Sequence, residues 1–220
     1  MSGGFPVDLI LFAMVAAFLV LRLRSVLGRR TGFERRPRPE AAAGAPPRVL
    51  EAEAPPAIPA GQARQIVPDP RSPAGRALAR IREVDPSFDP SAFLSGAEGA
   101  FRMIVEAFAK GDRETLRMLL SEDTYAGFEH AIAEREAAGH RQRTEIRAVT
   151  EAAIEHADLR GTTADITVRF ISDQVNVTTD ASGQVVAGAD AVTELVDIWT
   201  FQRDLRSPDP TWRLVATATG

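Results

Sequence analysis

Residues 93–108, FLSGAEGAFRMIVEAF, and residues 164–170, ADITVRF, have two different hydrophobic periods, and the order of these periods decides the fold. In the first stretch apolar side chains recur every three or four residues, which is typical of a helix with one buried face. In the second stretch Ile166, Val168 and Phe170 alternate with polar neighbours, which is typical of a strand with one buried face. Helices therefore come first in this region, and strands follow.

The flanking residues extend both patterns. Two shorter helices are predicted after the first one, beginning near Asp112 and near Ser121, where side chains suited to helix capping precede apolar residues. Turn-forming residues at 180–183 and 207–210 separate the later strands. Residues 74–84 predict a short helix that packs on the domain as a preface. The patterns thus predict an α+β fold, in which three helices cover the apolar face of an antiparallel sheet of about four strands.

The chain divides into three segments of different composition. We expect residues 1–24 to be a transmembrane anchor with a basic flank, and residues 76–220 to be the folded domain. Between them, residues 25–75 are rich first in Arg and then in Pro and Ala. Of the 15 prolines, 10 lie between Pro37 and Pro73, and apolar residues there are too few to build a core. This middle segment is predicted to be a disordered linker.

The anchor is predicted from thirteen consecutive apolar residues, Leu9 to Leu21. With its flanks the segment reaches eighteen residues, or roughly 27 Å of helix, which nearly spans a hydrocarbon core of about 30 Å. A cleaved signal peptide fits less well, because no basic residue precedes the apolar run. The basic residues that flank the membrane on the C-terminal side are Arg22, Arg24, Arg29 and Arg30. Their position predicts a periplasmic N-terminus and a cytoplasmic C-terminal domain.

Charge differs between the linker and the domain. Residues 22–48 contain eight arginines and two glutamates, whereas residues 86–220 contain 13 basic and 22 acidic side chains. The arginines could attract anionic lipid or nucleic acid, but only Phe33 interleaves with them and the membrane span is adjacent. We therefore expect the lipid bilayer, and no nucleic acid, as the partner of this basic segment.

The sequence contains few of the patterns that enzymes need. It has no cysteine, and its histidines, His130, His140 and His156, lack the spacing of metal ligands. It also has no phosphate-binding loop and no nucleophile elbow. Tyr125, Asp197 and His156 could form an acid–base set across a cavity, and this alternative stays open here. We otherwise expect no catalytic residue, no metal site and no cofactor.

Several motifs of residues 76–220 occur together in order. They are Gly111-Asp112, the run VDIWTFQR at residues 196–203, and P-x-W-x-L at residues 210–214. In these motifs the region resembles the Tim44-like domain, and most closely that of the membrane-anchored bacterial adaptors of the TimA type. The resemblance implies a cone-shaped fold similar to that of nuclear-transport-factor-2-like proteins, with three helices capping a curved sheet around an apolar cavity.

The resemblance also implies a non-enzymatic adaptor in the bacterial inner membrane. Its cytoplasmic domain would recruit or position protein partners, among them translocase or chaperone components, in translocation or membrane-protein biogenesis. The mitochondrial relative contacts its Hsp70-class chaperone through a long N-terminal region, which here is replaced by the span and linker. Membrane attachment therefore carries over to this chain, whereas chaperone binding does not. A domain that binds a lipid or another apolar small molecule, and an isomerase- or hydrolase-like enzyme, remain as alternatives.

Aromatic side chains of the helices and strands are candidates to line a pocket or partner groove. They are Phe101, Phe108, Tyr125, Phe128, Phe170, Trp199, Phe201 and Trp212. The alternating spacing in the strands is typical of an ordinary sheet core, but on a curved sheet the same residues would line a groove. Such a groove could accept a lipid tail, a peptide or a helix of a partner.

Overall fold

The computed structural model describes residues 63–220. The elements in chain order are β1 (Arg64–Ile66), α1 (Pro73–Val84), α2 (Pro90–Lys110), α3 (Arg113–Leu119), α4 (Glu122–Ala137), β2 (Arg141–Arg160), β3 (Thr163–Thr179), β4 (Val185–Asp204) and β5 (Arg213–Thr219). Within residues 63–220, no helix is long and apolar enough to cross a membrane. The predicted span, its flanking arginines Arg22, Arg24, Arg29 and Arg30, and the linker up to residue 62 lie outside the described residues.

The five strands form one curved sheet in the order β1-β2-β3-β4-β5, so that each strand lies beside its neighbours in sequence. β2 to β5 are antiparallel and correspond to the predicted meander, whereas β1 runs parallel to β2 at one edge. The pairing of β2 with β3 contains three register shifts, and further shifts interrupt the pairing of β3 with β4 and of β4 with β5. Such bulges bend long strands and increase their twist.

Four helices precede the meander, not three as predicted. The additional one is α1, which the sequence analysis treated as a preface to the domain. It begins after Ser72, whose hydroxyl accepts a hydrogen bond from the Gly75 N–H at 3.0 Å, and it buries Leu78 and Ile81 in the core. Pro73 occupies the first helical position, where a missing N–H costs nothing, so this proline marks a helix start and not a linker. The linker prediction is therefore wrong for residues 63–75, which contain β1 and the first turn of α1.

Side-chain caps fix the starts of the other three helices, and those of α3 and α4 lie where the sequence predicted. Asp89, Asp112 and Ser121 accept hydrogen bonds from backbone N–H groups three residues further on, at 2.7, 3.1 and 3.3 Å. α2 ends at Gly111, whose φ of 72° is left-handed and favours glycine. Asp112, which caps α3, directly follows Gly111, so α3 begins where α2 has ended. α3 carries Leu119, which lines the site described below.

The core lies between the four helices and one face of the sheet, here called the inner face. Ala164, Ile166, Val168 and Phe170 of β3 are fully buried on this face, so the predicted alternation of β3 is confirmed. In β2 Val149 is buried, whereas its neighbours Ala148 and Thr150 are half-buried and exposed. Two register shifts on either side of Val149 exchange the faces that neighbouring side chains occupy.

Candidate functional site

The eight aromatic candidates do not line a single pocket, and five of them belong to the buried core, namely Phe101, Tyr125, Phe170, Trp199 and Phe201. The Phe101 ring stacks on Phe170 with ring centroids 4.6 Å apart, and it meets Trp199 edge-on at 4.8 Å. These three side chains are 0%, 0% and 5% exposed. They hold α2 on the inner face of the sheet, and no ligand could reach them in this arrangement.

A second group lies between the C-terminal part of α2 and α4. Phe108 and Phe128 meet edge-on at 5.2 Å, and the guanidinium carbon of Arg135 lies 5.1 Å from the centre of the Phe108 ring. Tyr125 is buried, and its hydroxyl accepts a hydrogen bond from Arg117 Nη2 at 3.2 Å. Arg135 Nη2 also donates a hydrogen bond to the carbonyl oxygen of Phe108 at 2.8 Å, so the group fastens α4 to α2 and α3.

Phe201 and Trp212 line an open cleft at the other end of α2. The cleft has a volume of about 370 Å³, and its apolar wall comprises Phe88, Phe93, Ala97, Ala100, Met103, Leu119, Phe201 and Trp212. Ring centroids of Phe93 and Trp212 are 4.9 Å apart, and those of Phe88 and Trp212 are 5.9 Å apart. We call this site the aromatic cleft.

Three parts of the chain build the aromatic cleft. The first four turns of α2 supply Phe93, Gly96 and Met103, while β4 and the segment before β5 supply Phe201 and Trp212. At Gly96 no atom lies within 4 Å of the position that a Cβ would occupy, so the absence of a side chain leaves the cleft open. Met103, which is 49% exposed, forms part of the rim.

Sequence reasoning missed Phe88 and Met103 as site residues. Phe88 directly precedes the Asp89 cap of α2, and its ring centroid lies 6.0 Å from that of Phe93. A hydrophobic residue before the cap that packs on the fourth helical residue is a hydrophobic staple, so this contact had a local signal. Met103 had no such local signal. It borders the site because the segment before β5, distant in sequence, carries Trp212 to this part of α2.

One end of the aromatic cleft is polar. Arg203 Nη1 donates a hydrogen bond to Asp85 Oδ2 at 3.1 Å, and the two side chains are only 16% and 12% exposed. Hydrogen bonds from Ser87, together with the charge of Arg203, hold the pKa of Asp85 below its ordinary value, so Asp85 is ionised at neutral pH. Among residues 63–220, Arg203 Nε is the one fully buried side-chain nitrogen or oxygen without a hydrogen-bond partner.

The structure does not assemble the acid–base set that the sequence left open. Asp197 pairs with Phe170 on the inner face, whereas His156 pairs with Thr167 and is exposed on the opposite face. Burial raises the pKa of Asp197 to about 6, and a hydrogen bond from the Trp199 side chain acts against this rise. A carboxyl and an imidazole on opposite faces of one sheet cannot act on the same substrate.

The other histidines have no chemical partners of catalytic type. His130 lies on α4 with its side chain 57% exposed, and its Nε2 is 3.3 Å from Glu134 Oε1 one turn further along. It is therefore a surface residue. In the part of the chain from residue 63 onward, no three His, Cys, Asp or Glu side chains are grouped so that they could hold a metal ion.

These features define a class of protein: an α+β domain with four helices on one face of a curved meander and an aromatic cleft where the helices meet the sheet. The chain belongs to the family of the Tim44-like domain, whose model matches residues 74–219. This confirms the family predicted from the motifs at residues 111–112, 196–203 and 210–214.

Curated relatives of the chain are mitochondrial import inner membrane translocase subunits TIM44. The subunit of Mus musculus is 28% identical over 142 residues, and that of Homo sapiens is 27% identical over 142 residues. Each match covers 63% of this chain and 31% of the relative, so the chain matches about a third of the length of these proteins.

Two solved structures show distant similarity. The intermembrane space region of the chloroplast protein ARC6 aligns with a TM-score of 0.43 and 14% identity, covering 61% of this chain and 98% of that one. A candidate dehydratase of the NTF2-like family from Streptomyces avermitilis aligns with a TM-score of 0.36 and 18% identity, covering 56% and 92%.

Proposed function

We propose that this chain is a non-enzymatic adaptor of the bacterial TimA type, which recruits or positions protein partners at the inner membrane. Its setting would be protein translocation or membrane-protein biogenesis, with translocase or chaperone components as partners. Support comes from the Tim44-like family and from relatives that are named as subunits of an inner membrane translocase. In this proposal the apolar run 9–21 with its flanks, residues 6–23, spans the membrane. The N-terminus is periplasmic, and the Tim44-like domain has the cone-shaped NTF2-like form in the cytoplasm.

The mechanism is a raised effective concentration of partner and domain. A coil of about forty residues, the length between Arg22 and residue 62, has a mean reach of roughly 35 Å. A domain tethered within roughly 35 Å of the membrane meets membrane-bound partners far more often than a free domain does. Contacts of modest affinity then suffice for recruitment, without any chemical step.

The observation that best supports a partner-binding function is the aromatic cleft. It is open, and the apolar side chains accessible in it are the exposed Met103 and the half-buried Trp212 and Leu119, whereas Phe88, Phe93 and Phe201 of its wall are buried. Aromatic anchors supply most of the binding energy in protein interfaces, and methionine adapts its shape to different partners. The volume of about 370 Å³ suits one or two apolar side chains of a partner protein.

Site-specific photo-crosslinking in intact cells tests this proposal. A photoreactive amino acid replaces Met103 in the full-length chain, and a second variant carries it at Met118 as a matched control. Both methionines are largely exposed, 49% and 57%, but only Met103 lines the aromatic cleft. We expect a protein adduct of defined mass from position 103 and none from position 118.

Removal of residues 1–24 completes the design. The proposal expects the adduct at position 103 to fall strongly in this truncated chain, because the domain is no longer held near the membrane. Equal adduct formation at positions 103 and 118, or an adduct that does not depend on residues 1–24, would overturn it. An adduct with lipid alone would favour the lipid-binding alternative.

A further inference from the structure

We infer that the outer edge of β5, residues 216–219, binds an extended segment of a partner protein that carries basic side chains. The segment would join the sheet as a sixth strand beside β5. The inference goes beyond the proposed function, because it concerns a surface other than the aromatic cleft. It follows from the backbone groups that β5 directs away from β4, from the features that protect the other strand edges, and from the charges around β5.

β5 has backbone groups that no neighbouring strand uses. The Gly220 N–H donates a hydrogen bond to the carbonyl oxygen of Val196 on β4 at 3.0 Å. Because the backbone groups of a strand point alternately to its two sides, the residues two and four positions before Gly220 also face β4. Thr217 and Thr219 therefore direct their N–H and C=O groups to the other side. Within residues 63–220 no strand pairs with that side of β5, so these four groups can bond to an added strand.

The helices leave this edge accessible. The connection from α3 to α4 reaches β5 at Leu214, whose carbonyl oxygen accepts a hydrogen bond from the Ser121 N–H at 2.9 Å. From there α4 crosses the inner face towards β2, because Arg135 in its last turn donates a hydrogen bond to Gln142 of β2. The exposed residues of the edge beyond this point are Ala216, Ala218 and Thr219, and Thr217 is half-buried.

The other edges that remain free in the described part of the sheet carry features that prevent strand addition. β1 is only three residues long. The parts of β2 that β1 leaves free, residues 141–150 and 154–160, carry four arginines and are interrupted by register shifts. The free part of β4, residues 185–195, contains two register shifts and Gly188, whose φ of 78° is left-handed. Short length, charges and bulges are the usual protection of an exposed edge, whereas residues 216–219 of β5 have no charge, no proline and no register shift.

The charge beside this edge favours a basic segment. Glu122 and Asp123 begin α4 where it meets β5, and both are exposed. Neither forms an ion pair within residues 63–220, since the ion pairs of α4 involve glutamates further along the helix. The basic side chains at this end already have partners: Arg213 pairs with Asp209 at 3.5 Å, and Arg117 donates a hydrogen bond to a tyrosine hydroxyl at 3.2 Å. A basic side chain of the partner would therefore meet carboxylates that lack a counter-charge.

The same charge argues against a second copy of this chain as the added strand. Residues 86–220 contain 13 basic and 22 acidic side chains, so pairing through β5 would bring two acidic domains together. A basic segment of another protein brings the opposite charge. The segment has to be extended, because only a strand presents N–H and C=O groups at the spacing that Thr217 and Thr219 require.

The experiment uses capped ten-residue peptides, selected from a random displayed library against the full-length chain in detergent. Their affinities are measured for the wild type, for Thr217→Pro and for the matched control Thr217→Val. Proline removes the outward N–H of residue 217 without breaking a hydrogen bond to β4, whereas valine keeps this N–H and has nearly the shape of threonine. We expect the selection to yield peptides that bind Thr217→Pro at least tenfold more weakly than the wild type and Thr217→Val within twofold of it.

Changes in these peptides provide the second arm. Each backbone N–H of the peptide in turn is methylated. Because a strand directs alternate N–H groups to one side, methylation at every second residue should lower the affinity at least tenfold, and methylation at the residues between should change it less than twofold. Replacement of the basic residues by norleucine should weaken binding at least threefold at low salt. If Thr217→Pro proves unfolded by thermal denaturation, Thr219→Pro takes its place, since the N–H of Thr219 also points outward.

The outcomes separate this inference from the proposed function. If no selected peptide distinguishes Thr217→Pro from Thr217→Val, the inference fails, whereas the adaptor proposal is judged by its crosslinks at Met103. A methylation scan without alternation also refutes the inference, because the peptide would then not bind as a strand. Peptides that bind equally well without their basic residues refute the inferred charge of the partner. If sedimentation equilibrium shows a wild-type dimer that Thr217→Pro dissociates, a second copy occupies the edge and the inferred partner is wrong.

Discussion

Replacement of Asp197 by Asn should stabilise the domain at neutral pH by an amount that depends on pH. Asp197 lies on the inner face beside Phe170 and Trp199, and no basic side chain of residues 63–220 forms an ion pair with it. Burial raises its pKa from 3.8 in a solvated chain to about 6 in the folded domain. Asn has nearly the same shape and cannot ionise, so it removes the cost of a buried charge.

The sign and size of this stabilisation follow from the difference between the pKa of Asp197 in the folded domain and in the unfolded chain. As the pH rises through 4, the unfolded chain loses the Asp197 proton before the folded domain does, so the wild type loses stability. A difference of about two pKa units corresponds to a loss of roughly 3 kcal/mol, complete above about pH 7. The advantage of Asp197→Asn should therefore grow by about 2 kcal/mol between about pH 4.5 and pH 8 and then stay constant.

Urea unfolding followed by tryptophan fluorescence measures this difference, because Trp199 lies beside Asp197 and unfolding exposes it. Asp204→Asn, at the end of the same strand, is a control of opposite sign. A hydrogen bond from the Arg206 N–H lowers the pKa of Asp204, so its carboxylate stabilises the fold above pH 4 and Asn should be the less stable residue there. An Asp197→Asn advantage that does not change with pH would refute the reasoning, since Asp197 would then ionise as in water.

Two pairs of glycine variants test the backbone and the cleft. Gly188→Ala should destabilise the domain by about 3 kcal/mol or more, because Gly188 has a φ of 78° and a Cβ there would collide with the carbonyl oxygen of Asn176. Gly161→Ala has a similar φ of 62° but free space around it, so thermal unfolding should show a loss of only about 1 kcal/mol; equal losses would contradict the steric argument. Gly96→Ala and Gly127→Ala, both inside helices with no neighbour within 4 Å, should each stabilise the fold by about 0.5–1 kcal/mol. Only Gly96→Ala should weaken crosslinking at position 103, because Gly96 lines the aromatic cleft and Gly127 does not. An equal loss with Gly127→Ala would show that the crosslink does not report on the cleft.

The sequence predicted those parts of the fold that short-range patterns determine. β3 could be placed from its alternation because every inward residue from Ala164 to Phe170 is apolar and no bulge interrupts this stretch. The starts of α2 to α4 could be placed because a helix needs acceptors for its first N–H groups, and Asp or Ser supplies them locally.

The parts that sequence reasoning missed depend on distant contacts. β1 has only three residues in a proline-rich segment, and it exists because β2 offers a free edge more than eighty residues later. The inward position of Val149 depends on bulges that leave no mark in the hydrophobic period. For the site, Phe201 and Trp212 were among the candidates, but the same alternation also selected Trp199, which does not line the cleft. Which aromatic residues border the aromatic cleft depends on where the segment before β5 packs against α2.

The position of β1 has a mechanical consequence. Any tension that reaches the domain along the chain from its N-terminal side acts first on Arg64–Ile66, which pair with Glu151–Ala153 through a very short ladder. These few hydrogen bonds would rupture at low force, whereas the rest of the sheet, held by strands of up to 20 residues, would remain intact. Release of β1 would lengthen the segment that connects to the domain by several residues under tension. β1 would pair with β2 again when the tension ends, and the rest of the domain would keep its fold throughout.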